Sequence, residues 1–205
     1  MSCAAARRRL IFPLDVDTVR EAERLVRSLA AEVGLFKIGK QLFMHAGPAI
    51  VRRVHAKGGE VFLDLKFHDI PQTVALAGVE AARLGVRMFN VHASGGREMM
   101  TVTAVAEVCR RERLRRPILL GVTVLTSLVD ADLRRVGVSG TAARQVVRLA
   151  RLAKASGLDG VVASAREVGA IRRACGPGFV IVTPGIRQPG DARGDQQRIA
   201  TPEAA

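Results

Sequence analysis

The sequence contains no tryptophan and no tyrosine, and aromatic residues make up 3% of its 205 residues. Trp and Tyr are side chains on which single-stranded nucleic acids commonly stack their bases. The net charge of +13 could by itself indicate a nucleic-acid partner. However, only five of the 32 basic residues are Lys, and the 27 Arg are scattered over many predicted helices. We therefore expect a solvated, Arg-rich surface and no nucleic-acid partner, although a positive field would also attract a phosphorylated substrate.

Cysteine is scarce, and the sequence has no long apolar run. Cys3, Cys109 and Cys175 lie far apart and form no C-x-x-C pair, so we expect free thiols in a reducing compartment. No apolar run reaches the roughly 18 residues that span a bilayer. Residues 1–9 lack the apolar segment of a signal peptide. We expect a soluble cytoplasmic protein with no membrane partner, in which residues 1–9 form a loose tail.

Short apolar runs rich in β-branched residues alternate with longer amphipathic stretches along the chain. The predicted strands are Leu10–Asp15, Gly34–Ile38, Glu60–Lys66, Val86–His92, Pro117–Thr123, Leu158–Ala163 and Phe179–Thr183. The predicted helices are Val19–Ala30, Pro48–Ala56, Thr73–Leu84, Arg97–Arg110, Thr141–Ala155 and Ala165–Ala174. Alternation of this kind indicates a parallel sheet with helical crossovers, here in a single domain over residues 1–205.

Two α/β architectures fit this alternation. A (β/α)8 TIM barrel needs eight strands and typically about 250 residues, whereas about seven strand-helix units are visible here. An open doubly wound sheet is the alternative. The first strand is not followed by the G-x-G-x-x-G fingerprint of a dinucleotide-binding domain, which disfavours that class. We favour an incomplete (β/α)8 barrel.

Charged residues stand at the ends of the predicted strands, where barrel enzymes carry their chemistry. Asp15 ends the first strand, and Lys37 lies near the end of the second. Asp64 and Lys66 end the third strand and, being two residues apart, point the same way. By pattern alone, an ion pair that merely fixes a loop remains an alternative to a catalytic site.

Several longer motifs strengthen the catalytic interpretation. They are LDVD (Leu14–Asp17), FKIGKQLF (Phe36–Phe43), DLKFHDIPQT (Asp64–Thr73), NVHASGG (Asn90–Gly96), GVTVLTS (Gly121–Ser127), DGVVAS (Asp159–Ser164), VTPGIR (Val182–Arg187) and GDQQRIATP (Gly194–Pro202). In their residues, order and spacing the chain resembles the orotidine 5′-monophosphate decarboxylases, from Leu10 onward.

The resemblance implies a role for each matching residue. The catalytic set is Lys66, Asp64, Lys37 and Asp69, of which Lys66 is the catalytic lysine and Asp69 reaches the site of a partner subunit. The substrate-binding set is Asp15 at the ribose, Lys37, Thr73 and Thr126 at further contacts, and Arg187 and Gln196 at the phosphate. Thr73, like Asp69, is implied to act across the dimer. The implied assembly is a homodimer whose two sites are shared across the interface.

The implied reaction converts orotidine 5′-monophosphate to uridine 5′-monophosphate, the last step of de novo pyrimidine nucleotide synthesis. Loss of CO2 leaves a carbanion at C6 that the ring delocalises poorly. No cofactor and no metal is expected, so the protein itself must stabilise the charge. Lys66 would protonate C6 as general acid, and Asp64 would hold its ammonium in place.

The family pattern continues past Ala205 with an eighth strand that ends in a phosphate-binding Gly-Arg-Pro motif. We therefore expect the 205-residue chain to be a fragment or a natural truncation, nearly inactive and marginally stable. A non-catalytic truncated product is one alternative. A related Mg2+-dependent sugar-phosphate decarboxylase or aldolase barrel, which shares the D-x-K-x-x-D strand, is the other.

Overall fold

The computed structural model describes residues 2–100, 102–186 and 201. Its strands are β1 (Ile11–Pro13), β2 (Leu35–Gly39), β3 (Val61–Phe67), β4 (Met88–His92), β5 (Ile118–Val122), β6 (Gly160–Val162) and β7 (Val180–Val182). Its α-helices are α1 (Cys3–Arg7), α2 (Val19–Leu29), α3 (Lys40–Ala46), α4 (Ala49–His55), α5 (Pro71–Arg83), α6 (Gly96–Met99), α7 (Thr103–Arg111), α8 (Asp130–Arg135), α9 (Ala142–Ala155) and α10 (Val168–Cys175).

The strands follow one another in the sheet in the order in which they occur in the sequence, from β1 to β7. The pairs β1–β2, β2–β3, β5–β6 and β6–β7 are parallel. A doubly wound sheet reverses its strand order part-way, whereas a (β/α)8 barrel runs consecutively. The predicted barrel class is therefore confirmed, with seven strands among the described residues.

The described residues divide into two compact units. The first consists of Met1–Phe67, Thr73–Asn90 and Thr103–Ile118, and the second of His68–Gln72, Val91–Val102 and Leu119–Ala205. In the first unit, β2 and β3 bury Phe36, Ile38 and Leu63. In the second, Leu120 of β5 and Val161 of β6 are fully buried. Each unit thus has its own apolar core, and the single domain over residues 1–205 stays a prediction.

Helices α2 and α9 begin where a threonine caps them. The hydroxyl of Thr18 accepts a hydrogen bond from the Glu21 amide at 3.2 Å and starts α2. Thr141 does the same for Arg144 at 3.3 Å and starts α9. Such caps satisfy amide groups that the first turn of a helix leaves without an internal partner, and each is worth about 1 kcal/mol.

The structure differs from the sequence prediction at several helices. Part of the expected loose tail is α1, in which the Ser2 hydroxyl accepts from the Ala5 amide at 3.3 Å and caps an alanine-rich turn. The predicted helix Arg97–Arg110 is two helices, α6 and α7, because β-branched residues with low helix propensity stand at the break. Helices α3 and α8 were not predicted.

Arginine side chains on the surface pair with glutamates of other elements. Arg53 of α4 contacts Glu23 of α2 at 2.8 Å. Arg83 of α5 contacts Glu112, just after α7, at 2.7 Å and lowers the pKa of that carboxyl to about 2. Both pairs are exposed, so each stabilises the fold only slightly. They nevertheless support the interpretation of the arginines as a solvated surface.

The strand β6 begins at Gly160, which packs against the backbone of β7. A Cβ atom at this position would overlap the carbonyl group of Val180 and lie 2.6 Å from the Val180 Cβ. Because strand β7 would have to move, we expect Gly160→Ala to lower the free energy of unfolding by about 1–3 kcal/mol. Urea unfolding followed by circular dichroism measures the change.

The matched control is Gly178→Ala, since a Cβ at Gly178 meets no atom within 4 Å. We expect this variant to stay within about 0.5 kcal/mol of the parent. Equal unfolding midpoints for the two variants would contradict the close approach of β6 and β7 at Gly160.

Candidate active site

Charged side chains from the first three strands come together in the first unit. The register of the sheet sets Lys37 of β2 beside Pro13, the last residue of β1. It also sets Gly39 of β2 beside Asp64 of β3. The ends of three neighbouring parallel strands therefore meet at one edge, as the sequence predicted. We call the residues gathered there the charged cluster: Asp15, Lys37, Asp64 and Lys66.

Alternating charges link the members of the charged cluster. The Lys66 Nζ atom donates a hydrogen bond to Asp64 Oδ1 at 2.8 Å. The Lys37 Nζ atom lies 2.9 Å from Asp15 Oδ1 and 3.8 Å from Asp64 Oδ2. The Asp64 carboxylate is thus shared between two ammonium groups, one at each oxygen.

Burial differs across the charged cluster. The Asp64 side chain is 12% exposed, Lys37 is 23% exposed and Lys66 is 27% exposed, whereas Asp15 is 63% exposed. Water screens the Asp64 carboxylate poorly, so the neighbouring ammonium groups interact with it strongly. Asp15 lies at the solvent side, where a bound molecule could reach it.

Asn90 of β4 is a residue of the site to which sequence reasoning gave no role. It is fully buried, and its Nδ2 atom donates to Asp64 Oδ1 at 2.6 Å. Its Oδ1 atom accepts from the backbone amide of Lys66 at 2.8 Å. A signal was present in the sequence, because Asn90 is an amide within the otherwise apolar stretch of residues 88–91. Buried polar groups of this kind are nearly always hydrogen-bonded.

Lys66 has a backbone conformation that is unusual for its residue type. Its φ is +53°, in the left-handed region that β-carbon sterics disfavour by about 1–2 kcal/mol. The sequence prediction treated Lys66 as an extended strand residue that projects on the same side as Asp64. The contact with Asp64 confirms the shared side, but the chain bends out of the extended conformation at this point.

The other predicted site residues are placed as follows. Thr73 is exposed in the first turn of α5, in the first unit. Asp69 belongs to the second unit, is exposed, and accepts a hydrogen bond from the Ile70 amide at 2.6 Å. Thr126, also in the second unit, is buried with 7% exposure. Arg187 and Gln196 lie outside the described residues.

Two histidines lie close together in the second unit. The rings of His68 and His92 stack with their centroids 5.1 Å apart and their planes inclined by 29°. Within the described part of the chain, no group of three or more His, Cys, Asp or Glu residues is arranged to hold a metal ion. No helix among the described residues is long and apolar enough to cross a membrane.

A model of the family described as "Orotidine 5′-phosphate decarboxylase / HUMPS family" matches residues 8–205. The chain belongs to that family. It is 59% identical to the orotidine 5′-phosphate decarboxylase of Syntrophotalea carbinolica over 202 residues, which are 98% of this chain and 83% of that relative. The corresponding protein of Pelobacter propionicus is 54% identical over 200 residues, with the same coverage.

A solved structure is similar as well. The orotidine 5′-phosphate decarboxylase of Lactobacillus acidophilus superposes with a TM-score of 0.78 at 36% identity, over 87% of this chain and 81% of that one. The family resemblance in the sequence motifs is therefore confirmed by both the sequence and the fold of known members.

The left-handed backbone at Lys66 leads to a prediction about stability. Glycine adopts positive φ without a steric cost, so Lys66→Gly should be more stable than Lys66→Ala by about 1 kcal/mol. Both variants remove the same ammonium group, so the loss of the Asp64 contact cancels. Chemical denaturation of the two variants measures the difference.

The matched pair is Lys37→Gly and Lys37→Ala, because Lys37 lies in β2 and is not among the described residues with positive φ. There the order should reverse, with alanine more stable by about 0.5–1 kcal/mol. The same order at both positions would contradict a strained backbone at Lys66.

Proposed function

We propose that this protein decarboxylates orotidine 5′-monophosphate to uridine 5′-monophosphate and carbon dioxide, the last step of de novo pyrimidine nucleotide synthesis. The observation that carries the proposal is the position of Lys66, whose Nζ atom is held 2.8 Å from Asp64 Oδ1 on a half-buried strand end. The relatives described above, which are named orotidine 5′-phosphate decarboxylases, support the same activity.

The chemistry needs a cation and a proton at one place. When the bond between C6 and the carboxylate breaks, its electron pair stays on C6. An ammonium beside C6 stabilises that charge and then gives it a proton. In our proposal Lys66 is this general acid and takes a new proton from solvent after turnover. Asp64 keeps the ammonium in place and lies close to the departing carboxylate.

The remaining residues complete the proposed site. Lys37 extends the charge array and, with Asp15, faces the ribose. Thr126 contacts the substrate further along, and Arg187 and Gln196 bind the phosphate. Asp69 and Thr73 act in the site of a partner subunit. Binding energy from the phosphate would lower the barrier at C6, since remote contacts can be used in the transition state. We propose a homodimer in the cytoplasm that uses no cofactor and no metal.

The charged cluster favours this reaction over that of a Mg2+-dependent barrel enzyme. Magnesium needs carboxylate oxygens with room for its octahedral shell. Both oxygens of Asp64 already face ammonium groups, those of Lys66 and Lys37. Turnover that stops on addition of a chelator and returns with Mg2+ would support the sugar-phosphate alternative instead.

We expect Lys66→Ala to abolish decarboxylation while the fold remains intact, because the proton donor is lost. Ultraviolet absorbance follows the conversion of orotidine monophosphate, and circular dichroism checks the fold. The assay uses the 205-residue chain and the same chain joined to the residues of the Syntrophotalea carbinolica relative that lie beyond the matched region. Turnover within tenfold of the parent would exclude Lys66 as the donor.

Two further variants sharpen this test. Lys66→Arg keeps a positive charge but does not give up a proton readily, since the pKa of a guanidinium is far above that of an ammonium. It should therefore also be inactive, which separates proton transfer from charge stabilisation. Lys57→Ala removes an exposed lysine outside the charged cluster and should turn over like the parent.

The shared site of the proposed dimer can be tested by complementation. A mixture of Asp69→Ala and Lys66→Ala chains should recover activity, because one of the two sites in each mixed dimer then has both residues intact. Each mixed dimer should reach at most about half of the parent activity. If mixed dimers form, as shown by mass spectrometry of differently tagged chains, but stay inactive, Asp69 acts in its own subunit.

A further inference from the structure

We infer that Asn90 is a positioning residue that sets both the backbone of Lys66 and the carboxylate of Asp64. The inference rests on the proposed function, since it names a residue needed by that same site. Asn90 would not touch the substrate. It would act through the two residues to which it is hydrogen-bonded.

The first argument is the pair of contacts that Asn90 makes. Its amide oxygen accepts from the Lys66 backbone at 2.8 Å, and its amide nitrogen donates to Asp64 Oδ1 at 2.6 Å. The same Asp64 oxygen accepts from Lys66 Nζ. One side chain therefore connects the backbone of the proposed proton donor with the carboxylate that holds its ammonium.

The second argument is the conformation that these contacts hold. Lys66 has a φ of +53°, which an L-residue keeps only when its surroundings determine it. The hydrogen bond from Asn90 is made to the amide of that same residue. Asn90 is fully buried on the neighbouring strand β4, so its side chain is in a position to hold this bend in place.

The third argument is that the residue type suits the position. Only a side chain with a donor and an acceptor on one planar group can serve both partners at once, and the neutral amide of Asn does so without adding charge. An ionised carboxylate there would repel Asp64. Asn90 contacts two charged residues of β3, Asp64 and Lys66. Lys37 of β2 reaches the other oxygen of Asp64, and His92 lies two residues further along β4.

The kinetic test uses Asn90→Ala and Asn90→Asp in both forms of the chain described above. For Asn90→Ala we expect kcat to fall on the order of 10- to 100-fold, the loss typical of a hydrogen bond to a charged group, with KM changed less than about threefold. A merely structural residue would lower the amount of folded protein and leave kcat per folded molecule unchanged.

The isosteric variant Asn90→Asp adds a pH signature. Burial and the nearby Asp64 carboxylate raise the pKa of a carboxyl at position 90. When protonated, that carboxyl donates to Asp64 and accepts from Lys66 as the amide does. The ratio of its kcat to that of the parent should therefore be highest at acidic pH and fall as the pH rises. The corresponding ratio for Asn90→Ala should not change with pH.

A measurement without turnover separates this inference from the proposed function. Hydrogen exchange of the Lys66 amide, followed by NMR, should be protected in the parent and in Asn90→Asp but fast in Asn90→Ala. The control is Thr123→Val, which removes another buried side-chain hydrogen bond, that from Thr123 Oγ1 to the Val162 carbonyl at 2.8 Å. It should leave exchange at Lys66 and kcat unchanged.

The outcomes divide clearly. Parent-like kcat in Asn90→Ala, a pH-independent ratio for Asn90→Asp, or equal exchange of the Lys66 amide in the parent and Asn90→Ala would each overturn the inference. If the parent turns over orotidine monophosphate in neither form of the chain, the proposed function fails, and the exchange measurement still decides the role of Asn90. If Asn90→Ala does not fold, the isosteric Asn90→Asp decides through its pH dependence.

Discussion

The carboxylate of Asp64 is the group around which this part of the molecule is organised. It receives hydrogen bonds from Lys66 and Asn90 on one oxygen and faces Lys37 across the other. A carboxylate that is 12% exposed would be costly to bury without such partners. The three partners come from β3, β4 and β2. Three strands must therefore keep their register for the Asp64 carboxylate to make its hydrogen bonds and its contact with Lys37. The register of the parallel sheet thus fixes the distances between the side chains at the strand ends.

The backbone conformation of Lys66 also differs from the one that its residue type prefers. A lysine favours negative φ, yet Lys66 is bent into the left-handed region. Natural sequences agree with their folds at most positions, and departures tend to occur at functional sites. Lys66 is such a departure, located where the motif analysis placed the chemistry. The physical strain and the chemical interpretation therefore point to the same residue on independent grounds.

Much of the fold could be predicted from the sequence, because it depends on patterns that are local. Each of the seven predicted strands overlaps an observed strand, and Asp64 and Lys66 share a side through their two-residue spacing. The features that were not predicted depend on contacts distant in the chain. Asn90 lies 24 residues from Lys66, and nothing near Lys66 in the sequence reveals that its amide meets a side chain of the next strand. Helix α3 was missed because residues 40–43 were interpreted only as part of a motif.

The left-handed backbone at position 66 has a consequence for the evolution of the gene that encodes this chain. Glycine and asparagine suit that backbone better than lysine does, and a lysine codon becomes an asparagine codon by one change in its third base. In the proposed reaction, selection for the ammonium group is what keeps lysine there, against both mutation and conformational preference. A copy of the gene released from that selection should lose lysine at this position early, while its buried apolar residues, which still fold the chain, remain. On the proposed mechanism, the residue at position 66 in any descendant therefore records whether decarboxylation was still being selected.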